Sequence, residues 1–373
     1  MYYKKLQLSH DKKFMSFILC FLILATAFIN GCTSKNQGQG ANTNGEVIKV
    51  GLVTDQGGAK DSSFNEAADI GIQRASKELG IERLNPIESK QQEQYQPNLI
   101  TMAGVADLTI ASGFTMESSM KTVADQLSNK KFVIVDAKVD SPNVASYLFK
   151  ENEGAFLAGA MAGALTGTNK IGFIGGKESE VVGRFESGFI AGVASVNPEA
   201  AKGLMPSSAK THGTFVKYIN DFSDQSKAKE AANMLYNSGA DIIFHAAGGA
   251  GEGLFKAAEE KKLFAIGVDS DQAATLPHYK NVILFSMIKK VDEAVLSAIR
   301  DYKEGNFKGG TTLNLGIKES ALGISDTINE KVTDNAKDVA KRAEEEIRGE
   351  SIIVPATLEE LLKFQAPNLL KNK

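Results

Sequence analysis

The sequence predicts an α/β protein in which two doubly wound lobes, each built on a parallel sheet, enclose a ligand cleft. Three observations support this fold class. From about residue 47 onwards, short apolar runs alternate with amphipathic segments, which is the pattern of repeated strand–helix units. Glycine pairs follow apolar runs in both halves, at 57–58, 175–176 and 248–249, where a strand must turn sharply into a helix. A length of 373 residues suits about two domains.

The predicted elements follow from the spacing of apolar residues between glycine and polar breaks. In the first half, the strands are 47–53, 106–111, 131–136 and 144–149, and the helices 66–80, 116–127 and 152–165. A second series begins at residue 170. Its strands are 170–175, 214–219, 241–246, 263–268 and 282–286, and its helices 185–195, 227–237, one ending near 260, 292–302, 330–348 and 358–364.

The loop between the first predicted strand and helix holds the first candidate site. Ligands of parallel sheets lie beyond the carboxyl ends of the strands, where this loop is expected. It offers a carboxylate at Asp55, an aromatic ring at Phe64 and an amide at Asn65. The alternative is structural: Asp61 or Ser62 caps the helix and Phe64 packs into the core. The residues of this loop alone leave both interpretations open.

The amino terminus has the features of a secretory signal peptide. Two lysines precede an apolar segment at 14–29, and Gly31 stands before Cys32; a basic flank, a short apolar core and a small residue at the cleavage site are typical of such peptides. Gly31-Cys32 resembles the bacterial lipobox, although Asn30 replaces the small residue usual before the glycine. The alternative is an uncleaved anchor helix, for which the apolar segment is short.

The lipobox resemblance implies that residues 1–31 are removed and that Cys32 carries a diacylglycerol. Two acyl chains anchor a protein more firmly than the marginal binding of one chain. Residues 32–45 are rich in Ser, Asn, Gln and Gly and predict a flexible tether, since they cannot build a core. We therefore expect a lipid-anchored protein of the cell membrane that faces the periplasm or the cell exterior.

Charge and cysteine content exclude several functions. The net charge is −3, and the first 31 residues carry +3, which leaves −6 for the remainder. Nucleic acid is not an expected partner, because a net negative charge does not indicate a basic surface.

The cysteines are Cys20, within the predicted signal peptide, and Cys32. The folded part therefore has no disulfide and no thiol for catalysis or metal binding.

Enzymatic motifs are also missing from the sequence. Outside the signal peptide, the histidines are His212, His245 and His278, and they lack metal-ligand spacing. Neither a G-x-S-x-G elbow nor a P-loop occurs. The glycines at 248–253, with Asp269 after the next strand, imitate a dinucleotide fingerprint, but their spacing is G-G-x-G-x-G rather than G-x-G-x-x-G. We expect no enzyme, no cofactor and no metal.

Four motifs in a fixed order carry a family resemblance. They are DSSFN at 61–65, FKE at 149–151 with AFLAG at 155–159, GVDSDQ at 267–272, and SMIKKVD at 286–292. Together with the lipobox, they resemble the basic membrane protein family, the purine-nucleoside receptor lipoproteins of bacterial ABC transporters. The resemblance covers the chain from Val47 to about Pro355.

The resemblance implies a type I periplasmic-binding-protein fold, with two lobes and three hinge crossings. On this basis we expect lobe one to comprise 46–150 plus 284–308 and lobe two 151–283 plus 309–373. The implied partners are ABC permease subunits and purine nucleosides such as adenosine, guanosine and inosine. Closure of the cleft around the ligand is the signal that the permease would read.

The same resemblance implies a ligand site. Phe64 corresponds to the aromatic residue on which the purine stacks, and Phe222 to the second ring, from the opposing lobe. Asp136 matches a polar cleft position, as do Asp55 and Asn65.

The remaining implied positions concern the sugar. Asp269 and Lys289 correspond to partners of the ribose hydroxyls, with the backbone of Gly248 or Gly249 beside them. Two other functions stay open from the sequence: a surface lipoprotein acting as an adhesin or antigen on the same fold, and a receptor for another small polar ligand such as a sugar, which would not need two opposed phenylalanine rings.

Overall fold

The computed structural model describes residues 47–370. The predicted signal peptide at 1–31, the lipidation site Cys32 and the predicted tether at 32–45 lie outside the described residues. Within the described part, no helix is both long enough and apolar enough to cross a bilayer.

The strands, in chain order, are β1 Lys49–Thr54, β2 Glu82–Arg83, β3 Ile87–Glu88, β4 Leu108–Ser112, β5 Lys131–Val135, β6 Val144–Phe149, β7 Ile171–Gly175, β8 Val216–Tyr218, β9 Ile242–Ala246, β10 Phe264–Asp269, β11 Ile283–Lys289, β12 Thr312–Leu315 and β13 Leu322–Ile324. The helices are α1 Phe64–Leu79, α2 Tyr95–Val105, α3 Glu117–Gln126, α4 Glu151–Leu165, α5 Glu180–Ala194, α6 Pro198–Ala201, α7 Gln225–Asn237, α8 Glu252–Lys261, α9 Gln272–Thr275, α10 Val291–Lys303, α11 Asp334–Arg348 and α12 Leu358–Lys363.

These strands form two sheets of matching order. The first runs β12-β6-β5-β4-β1-β2, with β3 also paired to β1, and all its pairs are parallel. The second runs β13-β11-β10-β9-β7-β8 and is parallel except for its edge strand β13. Every residue of the central strands β4, β7 and β9 is buried, as expected for parallel sheets covered on both faces. The predicted fold class is confirmed.

The matching order makes each strand of the six-stranded second sheet equivalent to one strand of the first. β5 and β10 both lie third from the β12 or β13 edge. Asp136 directly follows β5, and Asp269 is the last residue of β10. Both have a left-handed backbone conformation, with φ 68° and φ 66°. Non-glycine residues adopt this region at a cost, so the two strand ends share an unusual geometry that directs equivalent carboxylates toward the space between the lobes.

Strand pairing corrects two of the predicted lobe boundaries. Residues 284–289 were expected in lobe one, but β11 pairs with β10 and lies inside the second sheet. Residues from 309 were expected in lobe two, but β12 pairs with β6 at the edge of the first. The residues of β11 are mostly apolar and are stable in a strand that is covered on both faces of its sheet, as β11 is in the second sheet. The chain therefore changes lobe after the strands β6, β11 and β12 rather than before β11.

Some short elements have no counterpart among the predictions. β2, β3, β12 and β13 are edge strands of two to four residues, too short for an alternating pattern. Helix α2 was missed because apolar residues also occupy its solvent side, where Ile100 is 42% and Val105 61% exposed. Helix α4 starts at Glu151, one residue before its predicted start, so Asn152 lies inside it. The Asn152 side chain donates to the Val354 carbonyl oxygen at 2.8 Å.

Helices α4 and α5 pack closely against each other because glycines line their contact. A Cβ on Gly192 would lie 2.1 Å from the Phe156 carbonyl oxygen, and one on Gly188 2.1 Å from that of Asn152. Contacts below 3.0 Å force one helix to move. The small side chains therefore determine how closely α5 approaches α4, and α5 carries cavity residues at its amino-terminal end.

We predict that Gly192→Ala lowers the free energy of unfolding by about 1–3 kcal/mol, the usual effect of overpacking a core. Gly183→Ala, on the same helix, is the matched control, since a Cβ there meets nothing within 4 Å. It should instead stabilise the protein by about 0.5–1 kcal/mol, because alanine loses less backbone entropy in a helix. Urea unfolding measures both, and equal effects of the two substitutions would contradict the proposed close approach.

Candidate functional site

The carboxyl ends of both sheets open into one cavity between the lobes. It encloses about 530 Å³ of space not filled by protein atoms, part of it open to solvent. All eight predicted ligand-binding residues line it: Asp55, Phe64, Asn65, Asp136, Phe222, Gly248, Asp269 and Lys289. Residues separated by more than 200 positions are thus brought to one place.

The loop after β1 is tied to the end of β4 by a chain of hydrogen bonds. The Asn65 side chain donates to Asp55 Oδ1 at 2.9 Å, and its own oxygen accepts from the Ser112 hydroxyl at 2.5 Å. The Gly57 backbone N–H also donates to Asp55 Oδ1, at 3.1 Å. Gly113, with φ 120°, passes so close that a Cβ would lie 2.5 Å from Asp55 Oδ2. The orientations of both predicted polar groups are therefore set by their neighbours.

The helix cap predicted for this loop is present, whereas Phe64 is not fully buried in the core. Asp61 caps α1: its carboxylate accepts hydrogen bonds from the backbone N–H groups of Ser63, Asn65 and Glu66, at 3.0 Å each. Phe64, which the structural alternative placed in the core, is half-buried and lines the cavity. Capping by Asp61 holds the first turn of α1 so that Phe64 and Asn65 face the cavity.

A buried cluster of charges lies at the base of the cavity. The Lys289 ammonium group is 2.5 Å from Asp136 Oδ2 and 2.8 Å from Glu151 Oε1. Glu151 also accepts from Arg184 Nε at 2.5 Å. The three aromatic rings of Phe64, Phe149 and Phe185 have their centroids 4.9–5.8 Å from Lys289 Nζ, close enough for cation–π attraction. Glu151 and Arg184 were not among the predicted site residues.

The two carboxylates that share Lys289 differ in their second partner. Burial would raise the pKa of Glu151, but Lys289 and Arg184 together outweigh it, so this pKa lies below its usual value. Burial raises the pKa of Asp136 to about 7, and the nearby Glu151 carboxylate adds to this, while Lys289 and, to a smaller extent, Arg184 oppose it. Asp136 also has one buried oxygen, Oδ1, without a hydrogen-bond partner. Asp136 is therefore the member of the cluster with spare capacity to accept a hydrogen bond.

Two further carboxylates of the cavity are also shielded from water. Burial raises the pKa of Asp269, against the opposing effects of Lys289 and the Ser63 hydroxyl, which donates to Asp269 Oδ2 at 2.5 Å. Burial likewise raises the pKa of Asp55, opposed first by the Asn65 side chain. Both side chains are 7% exposed or less, so each is an acceptor in a dry environment, where hydrogen bonds are strong.

Phe222 reaches the cavity because the backbone beside it is glycine. A Cβ on Gly176 would lie 2.1 Å from the Phe222 ring. The Phe222 carbonyl oxygen accepts the backbone N–H of Ala250 at 2.9 Å, which fastens it to the turn after β9. The ring packs edge-on against Phe114 of lobe one, with centroids 6.1 Å apart. The predicted aromatic residue is present, together with a partner ring that was not predicted.

Several lining residues were missed by the sequence analysis: Gly57, Asp61, Gly113, Phe114, Val181, Val182, Phe185, Ala246 and Val268. Phe114 had a usable signal, since it lies in the turn at the carboxyl end of a predicted strand, and Asp55 and Asp136 also lie near such ends. Phe185 and the two valines had none, because on α5 they belong to an apolar pattern that also describes the core.

The glycine-rich stretch after β9 serves packing. A Cβ on Gly251 would lie 2.0 Å from the His245 ring, and one on Gly253 1.9 Å from the Gln225 carbonyl oxygen. These glycines therefore let α8 pack against its neighbours, which accounts for their spacing without a dinucleotide. In the described part of the chain, no group of His, Cys, Asp and Glu is arranged to hold a metal ion.

The chain is similar to proteins of known family. Residues 48–357 match the family Bmp, described as "ABC transporter substrate-binding protein PnrA-like". A "CD4+ T-cell-stimulating antigen" of Listeria innocua is 36% identical over 90% of this chain and 95% of its own. An "ABC transporter nucleoside-binding protein BmpA" of Lactococcus lactis is 33% identical over 92% and 99%.

A solved structure agrees with these relatives. The crystal structure of an ABC transporter solute-binding protein from Aeropyrum pernix superimposes with a TM-score of 0.73, at 26% identity, over 85% of this chain and 96% of that one. The structural similarity and the sequence similarity therefore each extend over most of the chain.

We predict that Lys289→Met lowers the free energy of unfolding at pH 8 by about 3–5 kcal/mol, because it leaves buried carboxylates without their cation. The loss should shrink as the pH falls towards 5.5. In the variant, Asp136 has a folded-state pKa further above its unfolded value, so folding takes up a proton and becomes more favourable at lower pH. The exposed neighbour Lys290→Met is the control and should change stability little at either pH. A loss independent of pH would contradict the assigned charge cluster.

Proposed function

The chain belongs to the Bmp family of ABC transporter substrate-binding proteins, and we propose that its ligand is a purine nucleoside held in the cavity between the lobes. The observation that carries this proposal is the composition of the cavity wall. Aromatic rings from both lobes, among them Phe64 and Phe222, stand beside buried carboxylates that have capacity to accept hydrogen bonds. A nucleoside combines a flat aromatic base with a sugar rich in hydroxyl groups.

The base is assigned to the aromatic part of the cavity. Stacking of a base on aromatic side chains contributes about 1–3 kcal/mol per base. Phe64 is supplied by lobe one and Phe222 by lobe two, so a stacked base would join the lobes. Purines offer more ring area than pyrimidines, which favours adenosine, guanosine and inosine. Asp55 and Asn65 are the polar groups placed to accept from and donate to the edge of the base.

The ribose is assigned to the charged end. Asp136 Oδ1 is buried and lacks a protein partner, so a ligand hydroxyl donating to it would remove an unfavourable buried acceptor. Asp269 supplies a second acceptor and Lys289 a donor, with the backbone of Gly248 beside them. Hydrogen bonds to charged groups are the stronger kind, which gives this end of the site discrimination against ligands without hydroxyls.

The charge of the wall favours a neutral ligand. Four carboxylates line the cavity, Asp55, Asp61, Asp136 and Asp269, whereas Lys289 is the single cation among the described lining residues and is already paired with two acids. A phosphate group would be repelled in this setting of low dielectric constant. Nucleosides are therefore better ligands than nucleotides.

A lipid anchor completes the proposed function. Cys32 would carry a diacylglycerol and hold the protein at the outer side of the cell membrane, where ABC permease subunits receive the ligand. The name of the Lactococcus lactis relative, a nucleoside-binding protein, is consistent with the proposed ligand class.

We predict that calorimetric titration detects binding of adenosine, guanosine and inosine, with cytidine, uridine, ribose, NAD and guanosine monophosphate weak or silent. Calorimetry suits this protein because it has no tryptophan to report closure. Phe64→Leu removes the ring but keeps an apolar side chain, and it should weaken binding by an amount that corresponds to about 1–3 kcal/mol.

The control for this variant is Phe307→Leu. Phe307 is also half-buried but packs on Tyr302, with centroids 6.0 Å apart, and does not line the cavity. Affinity should stay at the wild-type value. If protein freed of any carried-over ligand binds no compound of the panel, the nucleoside proposal is refuted. If ribose binds as tightly as the nucleosides, the ligand is a sugar instead.

We also predict that Cys32→Ser shifts the protein from the membrane fraction to the soluble fraction of cells, because the acylated thiol is lost. Cys20→Ser is the matched control and should leave the protein with the membrane. Membrane retention of the Cys32→Ser variant would show that another segment anchors the chain.

A further inference from the structure

We infer that a direct contact between the lobes, made mainly by residues that do not line the ligand cavity, holds the lobes together without the ligand and thereby sets how tightly the ligand is retained. We call this contact the latch. It joins Ser62 and Ser63 of lobe one to the segment 269–272 of lobe two. The inference rests on the proposed function only in assuming that the ligand binds in the cleft that the latch closes.

Three hydrogen bonds form the latch. The Ser62 carbonyl oxygen accepts from the Ser270 hydroxyl at 2.9 Å and from Gln272 Nε2 at 3.1 Å. The Ser63 hydroxyl donates to Asp269 Oδ2 at 2.5 Å. Ser62, Ser63, Ser270 and Gln272 do not line the cavity. Their bonds therefore need no ligand in order to form.

Gln272 is held in the correct orientation before the lobes meet. Its side chain is almost fully buried, and Oε1 accepts both the backbone N–H of Val268 at 2.9 Å and His245 Nε2 at 3.1 Å. Since both donors belong to lobe two and both reach the amide oxygen, the amide nitrogen is left to face Ser62. Burial lowers the pKa of His245 to about 4, so the ring stays neutral and donates through Nε2. A donor positioned in advance loses little entropy when the contact forms.

The lobe-one side of the latch has an unusual backbone. Ser62 has φ 52°, a left-handed conformation that is unfavourable for residues other than glycine and that persists where surrounding contacts impose it. In this conformation one carbonyl oxygen accepts two donors from the other lobe. Gly249 of lobe two also approaches lobe one here, since a Cβ on it would lie 3.3 Å from the Asp61 Cβ. The two lobes thus fit closely at the latch.

The effect of the latch on ligand affinity follows from the fraction of protein molecules that are in the closed state. The apparent Kd equals the intrinsic Kd divided by the fraction of protein in the binding-competent state. Bonds that stabilise the closed state without the ligand raise that fraction and slow release of the ligand. Ser270 and Gln272 are accordingly positioning residues, which act on affinity through closure and not through contact with the ligand.

The test uses Ser270→Ala, which removes one latch bond and no bond within lobe two. Ser238→Ala is the matched control: its hydroxyl donates to the Met234 carbonyl oxygen at the same 2.9 Å, but inside lobe two. We expect Ser270→Ala to weaken guanosine binding about 3- to 10-fold, the usual worth of one hydrogen bond, mainly through faster dissociation. Ser270→Thr keeps the hydroxyl and should restore affinity, and Ser238→Ala should bind as the wild type does.

Small-angle X-ray scattering of the ligand-free protein separates this inference from the proposed function, because it needs no ligand. The double variant Ser63→Ala/Ser270→Ala should have a larger radius of gyration than the wild type and the control. Wild-type affinity in Ser270→Ala, or equal radii for all the ligand-free proteins, would overturn the latch. A wild-type protein that binds none of the purine nucleosides would overturn the nucleoside proposal, while the scattering comparison would still decide the latch.

Discussion

The structure depends on a lysine ammonium group buried between carboxylates of both lobes. Lys289 ends the central strand β11 of lobe two, Asp136 follows β5 of lobe one, and Glu151 begins α4 directly after the first crossing. Removing such charges from water costs several kcal/mol per ion, and only close geometry and further hydrogen bonds offset this cost. The position of the cluster therefore constrains how the lobes meet, because a displaced partner would leave a buried charge unpaired.

Around this cluster, the matching strand order of the two sheets explains the composition of the cavity. Equivalent strand ends, β5 and β10, carry Asp136 and Asp269 in the same left-handed conformation. Aromatic rings come from both lobes, with Phe64 and Phe114 opposite Phe185 and Phe222. The cavity thus has a charged base that accepts hydrogen bonds and an aromatic part, and the two lobes contribute to each.

Closure has contributions from inside and outside this cavity. A ligand that stacks on rings of both lobes stabilises the closed form, and the direct bonds of Ser62 and Ser63 to the opposite lobe do so without it. The Lys177 side chain adds a hydrogen bond to Gln56 across the cleft. Affinity in such a protein reflects both sets of contacts, so residues far from the ligand are able to tune it.

Most of the fold and much of the candidate site could be predicted from the sequence, because both follow from local patterns. Apolar runs and glycine turns identified the strands, and ligands lie at the carboxyl ends of parallel strands. Asp55, Phe64 and Asn65, in the loop after the first strand, do line the cavity, and the family resemblance added Asp136, Phe222, Gly248, Asp269 and Lys289. Tertiary structure alone decided that β11 lies in lobe two, that Phe185 of the core also lines the cavity, and that Glu151 and Arg184 complete the charge cluster. These outcomes depend on contacts between segments that are distant in the sequence. The spacing of residues along the chain does not show which of these segments a buried group will contact.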